Sequence, residues 1–104
     1  AEYMPATIIQ RMMQVHANAP YQINLGLAPL LMKAQNNHAD IIHVGDYVSS
    51  RGSKKHIAYA ASKAAQDNLT YSFSARLAPK VKVNSLAPSL MLFNSAENRL
   101  FSDK

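Results

Sequence analysis

The first third of the chain carries apolar residues at mixed three- and four-residue spacings, which is the pattern of a helix with one buried stripe. The stripe extends from about Pro5 to Lys33 and consists of Ile8, Ile9, Met12, Met13, Val15, Ile23, Leu27, Leu30 and Leu31. Pro20 lies inside it, and proline removes a backbone donor and clashes with the preceding turn. The pattern therefore predicts a helix that is kinked or broken between His16 and Pro20, followed by a polar loop at residues 36–38.

A short apolar run follows this helix. Asp40 to Asp46 reads DIIHVGD, a nearly uninterrupted run of apolar and β-branched residues that is typical of a parallel strand covered on both faces. Tyr47 to His56 then carries Ser, Arg, Gly and Lys without periodicity, which predicts a loop. Because this loop leaves the carboxyl end of a strand, where open α/β sheets bind their ligands, it is a candidate binding region.

Helical spacing returns from His56 to Leu77. The predicted apolar stripe consists of Ala61, Ala65, Leu69, Phe73 and Leu77, each four residues from the last. Pro79 ends this helix, and Val81 to Leu86 predicts a second strand before a turn at Ala87 to Ser89. The order helix, strand, helix, strand is one crossover unit of a parallel α/β sheet, with the two strands side by side or nearly so.

Length and composition limit the chain to a single domain. The 104 residues are 48% hydrophobic and include no cysteine, so they can form a core but no disulfide scaffold or thiolate metal site. Charged residues make up 16%, below the ~25% of an average soluble domain. Together with a first residue other than methionine, this favours a piece of a longer protein. The sequence shows neither a signal peptide nor a run of ~18 apolar residues, so it predicts a cytoplasmic protein without membrane partners.

The basic balance of the chain is compatible with anionic partners. Eleven Lys and Arg residues against six Asp and Glu residues give a net charge of +5. The cations group at Arg51, Lys54 and Lys55 and again at 76–82, without the interleaved aromatic residues that stack on bases. A solvated surface is therefore the favoured interpretation, and no nucleic-acid partner is predicted. The histidines lack ligand spacing, so no metal site is predicted.

Tyr59 and Lys63 form the first candidate for chemistry. They lie four residues apart on the second helix and share one face. Two unit charges about 4 Å apart interact by about 4 kcal/mol at an effective dielectric constant near 20, so the ammonium is expected to lower the tyrosine pKa by about two to three units. The phenol would then be a usable acid near neutral pH. The alternative is a pair of ordinary surface side chains.

Asp46 is the second candidate, thirteen residues before Tyr59. The intervening loop is long enough to return over the strand end and bring the carboxylate to the phenol. The run DYVSSRGSKKHIAYAASKAA, followed by LAPKVKVNSLAPSL, resembles the short-chain dehydrogenase/reductase superfamily at its catalytic strand, catalytic helix and following strand. The resemblance spans nearly the whole chain. It implies a Rossmann-like, doubly wound parallel α/β sheet, of which these residues supply a helix-strand-helix-strand portion.

The resemblance also implies roles for these side chains. In that family the tyrosine of a YxxxK motif donates or accepts the proton, and the lysine holds the nicotinamide ribose and lowers the tyrosine pKa. These roles fall on Tyr59 and Lys63. Most members carry serine where this chain has Asp46, and aspartate there is a trait of the pteridine reductase branch. That resemblance implies hydride transfer from NADPH to a C=N bond of a dihydropterin or dihydrofolate substrate, with protons supplied through Asp46, Tyr59 and water. The structural alternative is that Asp46 caps a helix or loop.

Further site positions follow from the same resemblance. The family's assisting asparagine aligns with His16, which would relay a proton or hold a water near Lys63, or else be a packing residue. The family's Pro-Gly after the next strand, where the backbone approaches the nicotinamide, aligns with Pro88 and Ser89. The implied cofactor-binding residues are Tyr59, Lys63, Pro88, Ser89 and Leu90.

The sequence lacks one motif that the family carries. Gly26, Gly45 and Gly52 are the only glycines, so there is no Gly-rich turn to hold a pyrophosphate. We therefore expect residues 1–104 to be the central and catalytic fragment of one reductase domain, with the dinucleotide-binding half and the C-terminal substrate loop outside it. The resemblance also implies a homo-oligomer, a tetramer formed through the two helices. The alternatives from other classes are a non-catalytic structural fragment or paralogue and a basic nucleic-acid-binding module.

Overall fold

The computed structural model describes residues 4–35 and 39–87. Helix α1 (Pro5–Met13) continues through a π-helical turn (Gln14–Asn18) into α2 (Ala19–Met32), and β1 (Ala39–Val44) follows. A 3-10 turn (Tyr47–Ser50), α3 (Ile57–Leu77) and β2 (Val81–Leu86) complete the order. The predicted unit of helix, strand, helix and strand is confirmed. No helix within these two ranges is long and apolar enough to cross a membrane.

The first helix is not broken at Pro20. It widens into the π-helical turn and then continues as α2, so of the two predicted alternatives the break is wrong, and the helix changes type locally where the kink or break was predicted. Pro20 lies in the first turn of α2. Because proline has no N–H to bond the carbonyl four residues earlier, the looser turn accommodates it without ending the helix. The turn also brings His16 to α3, where its ring contacts Ser62.

Strands β1 and β2 pair in parallel along their whole length, from Ala39 opposite Val81 to Val44 opposite Leu86. This confirms neighbouring parallel strands joined through a helix. The prediction that β1 is covered on both faces is wrong for the described residues. Helices α2 and α3 share one face of the sheet, whereas Ile42 and Val44 on the other face are 60% and 54% exposed. Both helices pack on one core, so the residues described here form no second layer.

That core is small and lies against the C-terminal half of α3. It consists of Phe73, Leu77, Val81 and Val83, with Ala28, Leu31, Ala39, Ile41 and Leu69 packed around it. Burying each large apolar side chain contributes about 1.5–3 kcal/mol. These contacts therefore fix the C-terminal end of α3 on the sheet.

The buried face of α3 is more polar than its apolar pattern predicts. Ala61 of the predicted stripe is exposed and Ala65 is only half-buried. The buried positions are instead Ala60, Ser62, Lys63, Gln66, Thr70, Phe73 and Leu77. A spacing of four residues drifts away from the 3.6-residue helical turn, so a stripe followed over several turns leaves the buried face. The N-terminal half of α3 therefore presents hydrogen-bonding groups to the end of β1.

Candidate active site

Asp46 lies two residues beyond β1, at the carboxyl edge of the sheet. Its Oδ1 accepts a hydrogen bond from the Val48 N–H at 3.0 Å, which caps the 3-10 turn that follows. The cap that the structural alternative predicts is thus present. The cap also orients the carboxylate, so that Oδ2 can accept from a second donor.

Tyr59 is that second donor, in the first turn of α3. Its hydroxyl donates to Asp46 Oδ2 at 2.8 Å. The loop after β1 crosses back over the strand end before α3 begins at Ile57, which brings the two side chains together. The carboxylate and the phenol therefore meet, as the length of the loop predicts.

The pair keeps its shared proton on the tyrosine. The pKa of Asp46 is lowered, mainly because its carboxylate accepts the Val48 N–H; burial opposes this effect, and the Tyr59 hydroxyl and the charge of Lys63 add to it. The pKa of Tyr59 is raised to about 12, first by burial and then by the hydrogen bond to Asp46 and the charge of that carboxylate. At neutral pH the pair is therefore a carboxylate and a neutral phenol.

The expectation that the pKa of Tyr59 is lowered overall is wrong for this structure. The ammonium lies 5.9 Å from the centre of the Tyr59 ring. It donates to Val44 O at 2.9 Å and to Gln66 Oε1 at 3.2 Å. These acceptors hold the ammonium next to the ring, whereas the carboxylate of Asp46 is bonded directly to the phenolic oxygen. The nearer negative charge and the burial together decide the direction of the shift.

His16 reaches the same region from the π-helical turn. Its Nδ1 lies 2.9 Å from Ser62 Oγ, and its ring is edge-on to the Tyr59 ring with centroids 5.4 Å apart. Ser62 gives its one hydroxyl proton to the Tyr59 carbonyl, so it accepts from His16. The imidazole therefore carries its proton on Nδ1, and its Nε2 is an acceptor. Burial, followed by the charge of Lys63, lowers the pKa of His16.

Close contacts hold the loop that carries Asp46. The Ser49 hydroxyl donates to the Asp67 carboxylate on α3. A Cβ atom added to Gly45 would lie 2.8 Å from Ser85 Oγ on β2 and 3.2 Å from Asp67 Oδ1, so no larger residue fits there without a shift. The two strand ends and α3 therefore approach closely where Asp46 leaves the sheet.

A buried polar network on the covered face of the sheet was missed by sequence reasoning. Asn24 Nδ2 lies 2.9 Å from His43 Nε2, and His43 Nδ1 lies 2.7 Å from Thr70 Oγ1. Thr70 donates its one hydroxyl proton to the Gln66 carbonyl, so it accepts from His43, and the Asn24 amide donates to Nε2. The network ties α2, β1 and α3 together. The available signal was the helical spacing of polar residues on α3, Gln66 and Thr70 among them.

The position of His43 predicts a stability that depends on pH. Burial lowers its pKa, so the folded state keeps the ring neutral, while the unfolded chain takes up a proton near the ordinary value of 6.5. The contribution of His43 to stability is therefore complete above that value and is lost as the pH falls below it. We expect His43→Leu to lower the free energy of unfolding at neutral pH by about 1–3 kcal/mol, because Asn24 and Thr70 lose their partner.

Urea unfolding of the full-length protein at neutral and mildly acidic pH measures both effects. The loss of stability on acidification should be smaller in His43→Leu than in the unchanged protein. His56→Leu is the matched control, because His56 is exposed and its side chain makes no capping bond. An undiminished acid dependence in His43→Leu would show that this histidine is not the titrating group.

The structure therefore brings Asp46, Tyr59, Lys63 and His16 into one region at the carboxyl edge of the sheet. The implied cofactor contacts at Pro88, Ser89 and Leu90 lie outside the described residues, as do the loop at 36–38 and the end of the turn at Ser89. Among residues 4–35 and 39–87, no three His, Cys, Asp or Glu side chains group closely enough to hold a metal ion.

The sequence matches a known family over almost its whole length. Residues 1–102 match the family described as short chain dehydrogenase. Among curated proteins, the dihydromonapterin reductase of Klebsiella pneumoniae subsp. pneumoniae is 55% identical over 96 residues, and that of Escherichia coli K12 is 57% identical over 93. The alignments cover 92% and 89% of this chain but 40% and 39% of those proteins. The chain thus spans about two fifths of the length of the curated relatives it matches.

Solved structures share the fold. A short-chain dehydrogenase/reductase from Burkholderia xenovorans superposes with a TM-score of 0.71 at 34% identity, covering 77% of this chain and 33% of that one. FolM alternative dihydrofolate reductase 1 from Brucella canis, complexed with NADP, superposes with a TM-score of 0.78 at 22% identity, covering 97% and 41%. The helices and the parallel strand pair are therefore a portion of a Rossmann-like fold.

Proposed function

Because this chain belongs to the short-chain dehydrogenase family, we propose that the protein containing it reduces a dihydropterin with NADPH. The hydrogen bond from Tyr59 to Asp46, with Lys63 beside the ring, is the observation that carries the proposal. It joins the family's tyrosine and lysine to the aspartate that distinguishes the pteridine reductase branch. Two relatives at 55% and 57% identity are named dihydromonapterin reductase, so dihydromonapterin is the first substrate to test. Dihydrofolate is the second, because the Brucella neighbour is named as an alternative dihydrofolate reductase complexed with NADP.

Lys63 fits the ribose end of a nicotinamide cofactor. An ammonium carries three N–H groups, and Val44 O and Gln66 Oε1 accept two of them. The third can donate to a ribose hydroxyl. NADPH, when bound, supplies the hydride for the carbon of the C=N bond. Its pyrophosphate needs a turn from outside these residues, because the sequence has no Gly-rich motif.

The Tyr59 hydroxyl supplies the proton for the nitrogen of the reduced bond. Tyr59 keeps this proton through neutral pH, since its pKa is raised to about 12. Asp46 orients the hydroxyl by accepting from it at Oδ2. Transfer to the substrate nitrogen leaves a phenolate, which the ammonium of Lys63, 5.9 Å from the ring centre, stabilises. A water molecule then returns a proton to the Tyr59 oxygen. Water can approach through the exposed part of Asp46, which is only half-buried.

His16 is placed to hold a water for that return. The Nδ1–H of His16 donates to Ser62 Oγ, so the Nε2 lone pair remains as an acceptor. Because burial and the charge of Lys63 lower the pKa of His16, the ring is neutral at pH 7 and its Nε2 can accept a hydrogen bond from a water molecule. We assign it a supporting role, since its ring meets the Tyr59 ring edge-on and does not contact the phenolic oxygen.

Purified full-length protein tests the function directly. NADPH oxidation is followed spectrophotometrically with dihydromonapterin, with dihydrofolate and with a simple ketone as the control substrate. The proposal expects turnover of a dihydropterin well above turnover of the ketone, because the proton donor is paired with a carboxylate. NADPH binding without turnover of either dihydropterin would refute the substrate class. No NADPH binding at all would favour the non-catalytic alternative.

We also propose that the full-length protein is a homo-oligomer. Large apolar side chains on α1 and at the start of α3 are exposed in the chain, among them Ile8 and Ile9 at 37% each and Ile57 at 72%. A self-associating face would cover them, as the low charged fraction of the sequence favours. Sedimentation of the full-length protein at tens of micromolar measures the mass. A monomer at that concentration would contradict the proposal.

A further inference from the structure

Gln66 belongs to none of the motifs that identify the site, yet it contacts the ammonium of Lys63. We propose that Gln66 is a positioning residue, which holds Lys63 in the geometry that binds the cofactor. The inference rests on the proposed function, in which Lys63 holds the nicotinamide ribose. It adds Gln66 to that site as a residue that acts indirectly, by holding the Lys63 side chain.

The contact is buried and local. Gln66 lies three residues after Lys63 on α3, and its Oε1 accepts from the ammonium at 3.2 Å. Both side chains are 8% exposed. A buried amide is unfavourable unless its polar atoms are bonded, and an apolar side chain of the same size would fill the place without that cost. The presence of an amide oxygen facing the ammonium therefore indicates a role in holding it.

A second acceptor fixes the orientation of the Lys63 ammonium, which one hydrogen bond alone does not fix. Lysine has a long stem with several rotatable bonds, so the single bond to Val44 O at 2.9 Å leaves the ammonium free to turn about that contact. Gln66 Oε1 is a second acceptor from a different element. With two N–H groups bound to β1 and to α3, the direction of the third is determined. The ammonium is thus oriented before a cofactor arrives.

Further hydrogen bonds fix the position of α3 relative to β1, and so the positions of the two acceptors. The backbone carbonyl of Gln66 accepts from the Thr70 hydroxyl at 3.3 Å, and Thr70 is bonded to His43. His43 is the neighbour of Val44 on β1, so the buried network that joins α3 to β1 also sets the distance between the acceptors. A rigid support of this kind reduces the ordering that binding would otherwise require.

Three variants of the full-length protein test the inference. Gln66→Met keeps the size of the side chain and removes the acceptor, whereas Gln66→Glu keeps an oxygen acceptor. Gln22→Met is the matched control, because Gln22 is an exposed helix residue that bonds only to Asn18 among the described contacts. Fluorescence titration gives the Kd for NADPH, steady-state kinetics gives kcat at saturating NADPH, and thermal unfolding shows that each variant is folded.

Gln66→Met is expected to raise the Kd for NADPH by about 3- to 10-fold, which is the cost of ordering one flexible side chain on binding. Its kcat at saturating NADPH should stay within about twofold, because the bound ribose itself then orients Lys63. Gln66→Glu and Gln22→Met should keep the native Kd within about twofold. A purely structural role for Gln66 would instead lower thermal stability and kcat together.

Two results would overturn the inference in distinguishable ways. If the unchanged protein binds NADPH and Gln66→Met binds it equally well, the positioning role is wrong and the proposed function stands. If the unchanged protein does not bind NADPH, the proposed function fails and this inference fails with it. A Gln66→Glu variant as weak as Gln66→Met would also overturn it, since the acceptor oxygen would then be irrelevant.

Discussion

Replacing Tyr59 by phenylalanine is expected to lower dihydropterin turnover by a factor of about 10² to 10⁴, the range that one positioned acid or base supplies. The substitution removes the hydroxyl that donates to Asp46 at 2.8 Å and keeps the ring against His16. The affinity for NADPH should change little, because the Lys63 ammonium keeps its acceptors. Steady-state kinetics of the full-length protein, combined with NADPH titration, measures both quantities.

Two further variants serve as comparisons for Tyr59→Phe. Tyr71→Phe removes a hydroxyl from the same helix at a position that is 73% exposed, and it should leave turnover unchanged. Lys63→Ala should weaken NADPH binding and turnover together, because the ammonium serves the ribose and the phenolate. Turnover of Tyr59→Phe within a few-fold of the unchanged protein would show that the proton comes from another group.

Asp46→Ala is expected to lower dihydropterin turnover by a similar factor of about 10² to 10⁴. The change removes the acceptor that orients the Tyr59 hydroxyl and also the cap on the Val48 N–H, whose loss costs about 1 kcal/mol of stability. Cofactor affinity should change little. Turnover measured from about pH 5 to pH 8, with unfolding measured in parallel, separates the loss of chemistry from the loss of the cap.

Asp46→Asn is the control that divides the two roles of this residue. An asparagine oxygen can still accept from Val48 and cap the turn, so the free energy of unfolding should remain within about 0.5 kcal/mol. Turnover should still fall, because the amide nitrogen that replaces Oδ2 cannot accept from the Tyr59 hydroxyl and orient it. Near-normal turnover of Asp46→Ala across the whole pH range would mean that the carboxylate is structural. The assignment to pteridine reduction would then lose its main support.

The element order and the membership of the site were largely predictable from the sequence. Apolar spacing reports which side of a local segment is buried, and this gave α3 within one residue of its start and β2 at Val81–Leu86 as observed. The spacing of Asp46, Tyr59 and Lys63 was equally informative, since a helical turn separates the last two and a loop can join the first two. These residues lie close together in the sequence, so predicting that they meet requires no knowledge of the rest of the fold.

Two of the predictions that failed depended on what packs against a segment. Near-continuous apolar character in β1 indicated two covered faces, but the described chain puts both helices on one side. The four-residue stripe on α3 missed the buried polar row that includes Lys63 and Gln66. Sequence spacing shows which positions share one side of a helix. It does not show which other elements pack against that side.

The sequence by itself determined the order of helices and strands, the loop that crosses the strand end, and the three side chains of the candidate site. Only the tertiary structure decided their electrostatics. Lys63 was expected to lower the pKa of Tyr59, and instead that pKa is raised to about 12, first by burial and then by the hydrogen bond to Asp46 and the charge of that carboxylate. Val44 and Gln66 meanwhile hold the ammonium beside the ring and away from the phenolic oxygen. Electrostatic effects depend on distance and burial between particular atoms, and these are properties of the folded chain, which residue spacing does not contain.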